Sequence, residues 1–260
     1  MPLRLTKFRS PFTTVPITGR SGVGGPTGLK ACECKACPCQ SSGLVCRAAE
    51  ADPAAFQQLL HRFLFQAHQV VFYEGHESLG LYVLCAGKAK MTRSTQRGSR
   101  RIVNILGAGS LIERSGFCKG TTHAATCETL EPSQVCLIER EGYLGLARKN
   151  PALAIELLQS VSLDASPEGA APERAPFSTT TERLAAVLLD LGHRFGEQQA
   201  DGIRIGVHLT REELAELAGV APETAIRALS RFRRDRLVAT TGREILLLKP
   251  DRLGRLAGSP

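Results

Sequence analysis

The spacing of apolar residues changes character along the chain. From Phe56 to about Arg140, short runs rich in Val, Ile, Leu and Tyr alternate with glycines. Val70 to Tyr73 precedes Gly75, Leu81 to Leu84 precedes Gly87, and Ile102 to Leu106 precedes Gly107 and Gly109. Such runs, bounded by turn formers, predict an antiparallel barrel or jelly roll over residues 51–142. After Tyr143 the spacing becomes helical. Pro151 can open a helix with Leu153, Ile155, Leu157, Leu158 and Val161 on its apolar positions. Ser166 to Pro176 then carries Pro167, Gly169, Pro172 and Pro176. Each interior proline removes a helical hydrogen bond at ~3 kcal/mol, so this stretch is a break or joint within a segment spanning 143–177. Another helix is predicted from about Thr181, using Leu184, Val187, Leu188 and Leu191. Upstream, residues 1–30 are rich in Gly, Pro, Ser and Thr without periodicity and read as a mobile arm.

Residues 178–260 carry a more specific pattern. Thr210-Arg211-Glu212-Glu213 is a capping box, Leu214, Ala215, Leu217 and Ala218 supply the helix's apolar stripe, and Gly219 permits a tight turn. A second helix opens at Pro222 and is predicted to reach about Arg236, with Ala221 where a Ser or Thr cap is usual. At about 100° per residue, Ala225, Ala228, Leu229 and Phe232 share one side, while Glu223, Ile226, Arg227 and Ser230 lie opposite. Helix, glycine turn and helix is the helix-turn-helix layout. Arginine can pair with a guanine edge and glutamate can accept from a cytosine amino group. Leu237 to Thr240, Thr241-Gly242, and Glu244 to Leu248 then predict a hairpin wing. Glu223, Ile226 and Arg227 are the candidate base readers. Thr210, Ser230, Arg231, Arg233, Arg234 and Arg243 are the candidate phosphate contacts.

Charge agrees with this reading. The 260 residues carry a formal net charge of +8, which suits a polyanionic partner. No window holds the ~18 uncharged apolar residues of a membrane helix, and the start has no apolar core of an export signal. A cytoplasmic protein without a membrane role is expected. Its six histidines are dispersed, unlike a cupin-type metal site, and no nucleophile elbow, Walker loop or dinucleotide fingerprint occurs. A non-enzyme is expected. The alternatives are a cupin-type metalloenzyme and a DNA-binding protein with structural cysteines.

Of nine cysteines, five (Cys32, Cys34, Cys37, Cys39, Cys46) fall in a loop spanning 31–50. Reduced thiols so grouped favour metal. An iron–sulfur cluster, zinc, and a metal-free thiol switch are the competing readings. Pro38 after Cys37 excludes a c-type haem attachment there. Cys85, Cys118 and Cys127 read as packed barrel thiols.

From Cys34 onward the sequence resembles the CRP/FNR superfamily of bacterial transcription regulators. The carrying segments are LYVLCAGKAKM (81–91), LEPSQVCLIERE (130–141), ERLAAVLLDLGHRFG (182–196) and LTREELAELAGVAPETAIRALSRFRRDRLV (209–238). The resemblance implies an α+β architecture: a double-stranded β-roll (cupin-like jelly roll) sensor, a dimerisation helix and a winged helix-turn-helix domain. It implies a homodimer on a palindromic promoter site in double-stranded DNA, working with RNA polymerase. FNR-type members carry Glu-x-x-Ser-Arg on the recognition helix. Glu223 and Arg227 match, and Ile226 replaces the serine, where it could meet a thymine methyl.

Cyclic-nucleotide-binding members use a Gly-Glu-Leu cassette and an Arg-Ser/Thr pair. Here only Glu113 is kept and His123 stands near the arginine's place, so a cyclic nucleotide is not expected, and His123 reads as a surface or barrel-rim residue. FNR-like oxygen sensors instead ligate a 4Fe-4S cluster through three N-terminal cysteines and a distant fourth. The resemblance assigns these to Cys34, Cys37, Cys46 and Cys136, with Cys32 or Cys39 as possible substitutes and zinc as the alternative metal. Because prolines interrupt the family's long helix, the expected pairing helix is short, Pro151 to about Leu163, with Leu153, Leu157 and Val161 in the seam.

Overall fold

The computed structural model describes residues 56, 58–94, 98, 100–113, 120–155, 157–158 and 179–258. The arm, the cysteine-rich loop and the proline-rich joint lie outside them. Eight strands form the first unit: β1 (Leu60–Phe65), β2 (Val70–Phe72), β3 (Gly80–Ala86), β4 (Ala89–Ser94), β5 (Arg100–Leu106), β6 (Leu111–Glu113), β7 (Thr126–Thr129) and β8 (Ser133–Glu139). They make two antiparallel sheets, ordered β1-β8-β3-β6 and β2-β7-β4-β5.

Strand alternation divides the side chains between separate cores. Tyr82 and Leu84 of β3, with Val135 and Leu137 of β8, point between the sheets to meet Phe72, Met91 and Leu106. Their neighbours Leu81, Val83 and Cys85, with Cys136 and Ile138, occupy the outer face of the first sheet. That face is covered by Phe56, by Tyr143 and Leu146 of α1 (Arg140–Lys149), and by Leu153 of the helical residues 151–155. The Tyr143 hydroxyl donates to the Leu153 carbonyl at 2.9 Å, tying the two helical pieces together.

The second unit begins with α2 (Thr180–Phe195), whose start carries a complete capping box between Thr179 and Glu182. It continues through β9 (Gly196–Gln199), β10 (Gly202–Ile205), α3 (Arg211–Ala218), α4 (Pro222–Arg234), β11 (Val238–Thr241), β12 (Glu244–Leu247) and α5 (Pro250–Leu256). Its four strands form one sheet, ordered β11-β12-β10-β9. The units share a hydrophobic core: Ile102 and Ile105, on the outer face of the second sheet, pack with Leu188, Leu191, Leu214 and Phe232.

The β-roll and winged helix agree with expectation, with differences of detail. The predicted wing is half of a larger sheet, because the polar hairpin β9–β10 pairs Ile203–Ile205 with β12. Helix α4 stops at Arg234, since Arg236 takes a left-handed conformation (φ 53°). Helix α1 starts at Arg140, before the apolar spacing changes, and α5 has too few apolar positions to announce itself. His123 is 3% exposed, not on a rim. Its ring stacks on Phe72 at 3.7 Å between centroids and meets Tyr82 edge-on at 5.4 Å.

Two of the expected seam residues also face inward. Leu153 is buried against the roll of its own chain and Leu157 packs partly on the same cluster. Ile155 and Leu158, 56% and 66% exposed, form the outward face instead. The cause is rotational: residues 153 and 157 are one helical turn apart, so the turn that seats one seats the other. Val161 lies outside the described residues.

Candidate nucleic-acid interface and cysteine site

Local sequence sets the geometry of the two-helix unit. The Thr210 hydroxyl accepts from the Glu213 N–H at 3.1 Å, and the Glu213 carboxylate accepts from the Thr210 N–H at 2.8 Å. Helix α3 ends at Gly219 with φ 60°, a left-handed conformation that glycine adopts at little cost. Pro222 then starts α4, and Ala221 supplies no side-chain cap. Ala225, Ala228, Leu229 and Phe232 are buried, which turns Glu223, Ile226, Arg227 and Ser230 outward together. Ile226 is 45% exposed on this face. The Arg227 guanidinium donates to the Thr224 hydroxyl at 3.1 Å, which holds it on this face.

Phosphate-binding candidates surround that face. Arg231, Arg233, Arg234 and Arg243 are exposed. Ser230, Arg233, Arg234, Arg236 and Thr240 border a groove of about 510 Å³ between α4 and the wing. Arg231 lies 3.8 Å from Asp235 of its own helix, so part of its charge is answered locally. The Thr210 hydroxyl serves first as a helix cap. Arg211, which sequence reading missed, donates to the Gly242 carbonyl at 3.1 Å and so ties α3 to the wing turn. Burial, together with the nearby Arg233 charge, holds the Arg211 guanidinium below its ordinary pKa against the pull of Glu212. The face is therefore crowded with positive charge.

An ion pair joins this unit to the β-roll. Lys90 of β4 reaches Glu213 at 2.8 Å and Glu128 at 3.0 Å, with the Lys90 and Glu213 side chains only 10% and 11% exposed. Glu213 thus uses one oxygen to cap α3 and the other to hold the β-roll. Burial disfavours both charges, but the hydrogen bonds and mutual attraction outweigh it: Lys90 is raised and Glu213 is lowered from their ordinary values. Nearby, Arg194 of α2 donates to the Asn104 side chain at 3.1 Å and to the Ile105 carbonyl.

Of the four proposed cluster ligands, the described residues include only Cys136. It is 2% exposed on the outer face of the first sheet, in the cluster that also holds Phe56 and Leu153. Phe56 and Leu153, which lie before and after the roll in the chain, thus share this outer face with Cys136. Its closest polar neighbour is Cys85, whose thiol donates to Cys136 Sγ at 2.9 Å. That hydrogen bond, against burial and with help from Gln134 and the Arg62 charge, lowers the Cys136 pKa below its ordinary value. Cys127 inside the roll and Cys85 on the outer face of its first sheet are packed thiols, as expected, and Cys85 also donates to Cys136, while Cys118 lies outside the described residues. No group of three or more metal-ligating side chains occurs among the described residues. None of their helices is long and apolar enough to cross a membrane.

Comparison with known proteins places the whole arrangement. Residues 62–150 match the cyclic nucleotide-binding domain, and residues 182–256 match the Crp-like helix-turn-helix domain. The chain belongs to the CRP/FNR family of DNA-binding transcription regulators. The fumarate and nitrate reduction regulatory protein of Escherichia coli K12 is 28% identical over 193 residues, 74% of this chain and 77% of that protein. A CRP-like cAMP-activated global transcriptional regulator of Mycobacterium tuberculosis H37Rv is 25% identical over 204 residues, covering 78% and 91% respectively. FixK2 of Bradyrhizobium japonicum shares the fold, with a TM-score of 0.66 at 20% identity over 76% of this chain and 96% of that one. The regulator CLP of Xanthomonas campestris gives 0.65 at 21% identity, covering 76% and 98%.

Proposed function

We propose that this CRP/FNR-family regulator responds to oxygen or redox state through a 4Fe-4S cluster held by Cys34, Cys37, Cys46 and Cys136. The observation that supports this reading is where Cys136 sits. Its thiol lies on the sheet face shared by Phe56, ten residues beyond Cys46, and by Leu153 of the helical segment outside the roll. A group bound there would lie on the face where Phe56 and Leu153 pack. The donor chemistry fits as well, since Cys136 is biased toward the thiolate that iron prefers. When bound, the cluster supplies a redox-labile crosslink between loop and sheet. The Phe72–His123–Tyr82 ring stack inside the roll favours this over a cyclic-nucleotide effector, because packed rings stand where such a ligand's phosphate would need a cation.

In its DNA-binding form the protein is a cytoplasmic homodimer on a palindromic promoter site, where it meets RNA polymerase. Two-fold symmetry sets the recognition helices ~34 Å apart. Ile155 and Leu158 are the described apolar residues that a partner helix would cover.

Anaerobic purification followed by a visible spectrum and iron and sulfide analysis tests the proposal. A brown protein with about one cubane per chain is expected. Single Ser replacements at Cys34, Cys37, Cys46 or Cys136 abolish it, whereas Cys118→Ser does not. Stoichiometric zinc without acid-labile sulfide, in protein made with ample iron, defeats the cluster and leaves a zinc site. On the same samples, sedimentation with Ile155→Glu should show a monomer where the parent dimerises.

A further inference from the structure

Cys85 is the one residue of a bulge. Along β3 and β8 the register runs Val83 opposite Cys136 and Leu84 opposite Val135, then jumps to Ala86 opposite Gln134, with Cys85 at the shift. A bulge re-aims its side chain, and here it turns the Cys85 thiol onto Cys136 across the strand pair, 2.9 Å between sulfurs. Both thiols are buried, at 7% and 2%, among the apolar side chains of the outer face. Two cysteines 51 residues apart in sequence are thereby held as neighbours by the two central strands of the first sheet. A disulfide sets its sulfurs about 2.05 Å apart, so they must approach by less than an ångström.

From this juxtaposition we infer that Cys85 and Cys136 form a reversible thiol–disulfide couple within the β-roll, oxidised by hydrogen peroxide. The couple shares Cys136 with the proposed cluster but does not depend on it. One sulfur of the pair, as its thiolate, attacks one peroxide oxygen. The O–O bond breaks, hydroxide departs and takes that thiol's proton as water, and the attacking cysteine becomes a sulfenic acid. The neighbouring sulfur then attacks the sulfenic sulfur, the S–O bond breaks, and the second hydroxide leaves as water with the second thiol's proton. Two thiols are oxidised by two electrons and one peroxide is reduced to two waters. The product staples β3 to β8 and occupies the sulfur that the cluster would need, so peroxide and cluster compete for one residue. Without Cys85, a sulfenic acid at Cys136 loses the thiol held beside it among the described residues and climbs to sulfinic acid, which thiol reductants do not reverse.

The test uses full-length, cluster-free protein, reduced, desalted and exposed to graded hydrogen peroxide. Free thiols are alkylated and the digest is mapped by mass spectrometry. Alkylation of Cys85 and Cys136 is expected to vanish together, with a linked peptide pair joining them, and to return after dithiothreitol. In Cys85→Ser the link is absent and Cys136 accumulates as sulfinic acid that dithiothreitol does not restore. The inference is overturned if both thiols remain alkylatable, if Cys85 overoxidises unlinked, or if Cys136 links to Cys34, Cys37 or Cys46 instead. Anaerobic iron and sulfide analysis of the parent separates the two ideas. The Cys85–Cys136 link without any cubane sustains the couple and defeats the cluster, and a cubane without the link does the reverse.

Discussion

The DNA-reading unit and the sensor unit are built by opposite logics. In the reader, each functional side chain is placed by residues within a few positions of it. Thr210 and Glu213 cap one helix, Gly219 turns the chain, and four buried residues of α4 decide which way Glu223 and Arg227 face. In the sensor, each functional neighbour comes from far along the chain. Cys85 meets Cys136 across 51 residues, and Lys90 meets Glu213 across 123. Local placement follows from nearby sequence, whereas long-range placement exists only when the sheets and the interface between units have formed.

The contrast is best tested where the two logics meet. Lys90→Met leaves the Glu213 carboxylate buried without its cation, a change that costs about 3–5 kcal/mol for a buried pair. Thermal unfolding at neutral pH should show a large drop. An unchanged midpoint would mean that the Lys90–Glu213 pair does not hold the units together.

The same pair predicts a pH window. Glu213 has a lowered pKa, so its contribution is present above the ordinary carboxylate value of about 4.3 and is lost as pH falls through the folded value. Lys90 has a raised pKa, so its contribution is present below about 10.4 and is lost as pH rises through the folded value. The difference in melting temperature between parent and Lys90→Met should be widest between these limits and narrow beyond each. A difference that stayed constant from acid to alkaline pH would contradict the ion pair.

Within the reader, the effects are smaller and differ in kind. Arg227→Ala should cost ~1–3 kcal/mol in binding and flatten preference at one base pair, whereas Arg233→Ala should weaken all sequences alike and lower the salt slope by about one. Equal, sequence-independent losses for both would erase the division between base and phosphate contacts. Least of all, Ala221→Ser should supply the missing cap of α4 and raise stability by about 1 kcal/mol, read from chemical denaturation. No gain there would show that Pro222 alone fixes the start of the helix.

How much of this was legible beforehand follows the same contrast. The capping box, the glycine turn and the outward set on α4 were readable because a helix repeats every 3.6 residues, so spacing alone assigns faces. The β-roll was readable as a class from its glycine-punctuated apolar runs. Its strand register was not, because pairing is a long-range choice. Without the register, alternation puts Cys85 on the face of Leu81 and Val83 but cannot say that Cys136 lies beside it. Lys90 looked like an ordinary strand lysine, and nothing near it in sequence announces Glu213. His123 was misjudged because histidine is usually exposed, and only the folded roll brings Phe72 and Tyr82 around it. The burial of Leu153 was unreadable for a related reason, since periodicity groups Leu153 with Leu157 but does not say whether they meet the roll or a second chain.

The placement of Ile102 and Ile105 bears on how separable the parts are. Both are sensor residues, yet they pack in one core with the helices that read DNA. A reader cut at residue 178 would lose that cover and present an oily scar over Leu188, Leu191 and Leu214. Transplanted onto a foreign sensor, it would need a matching pair of β-branched side chains on the edge strand that received it. Modularity in this protein thus ends at the face carrying these two isoleucines, and a chimera designed around the proline-rich joint alone would divide the chain in sequence but not in substance.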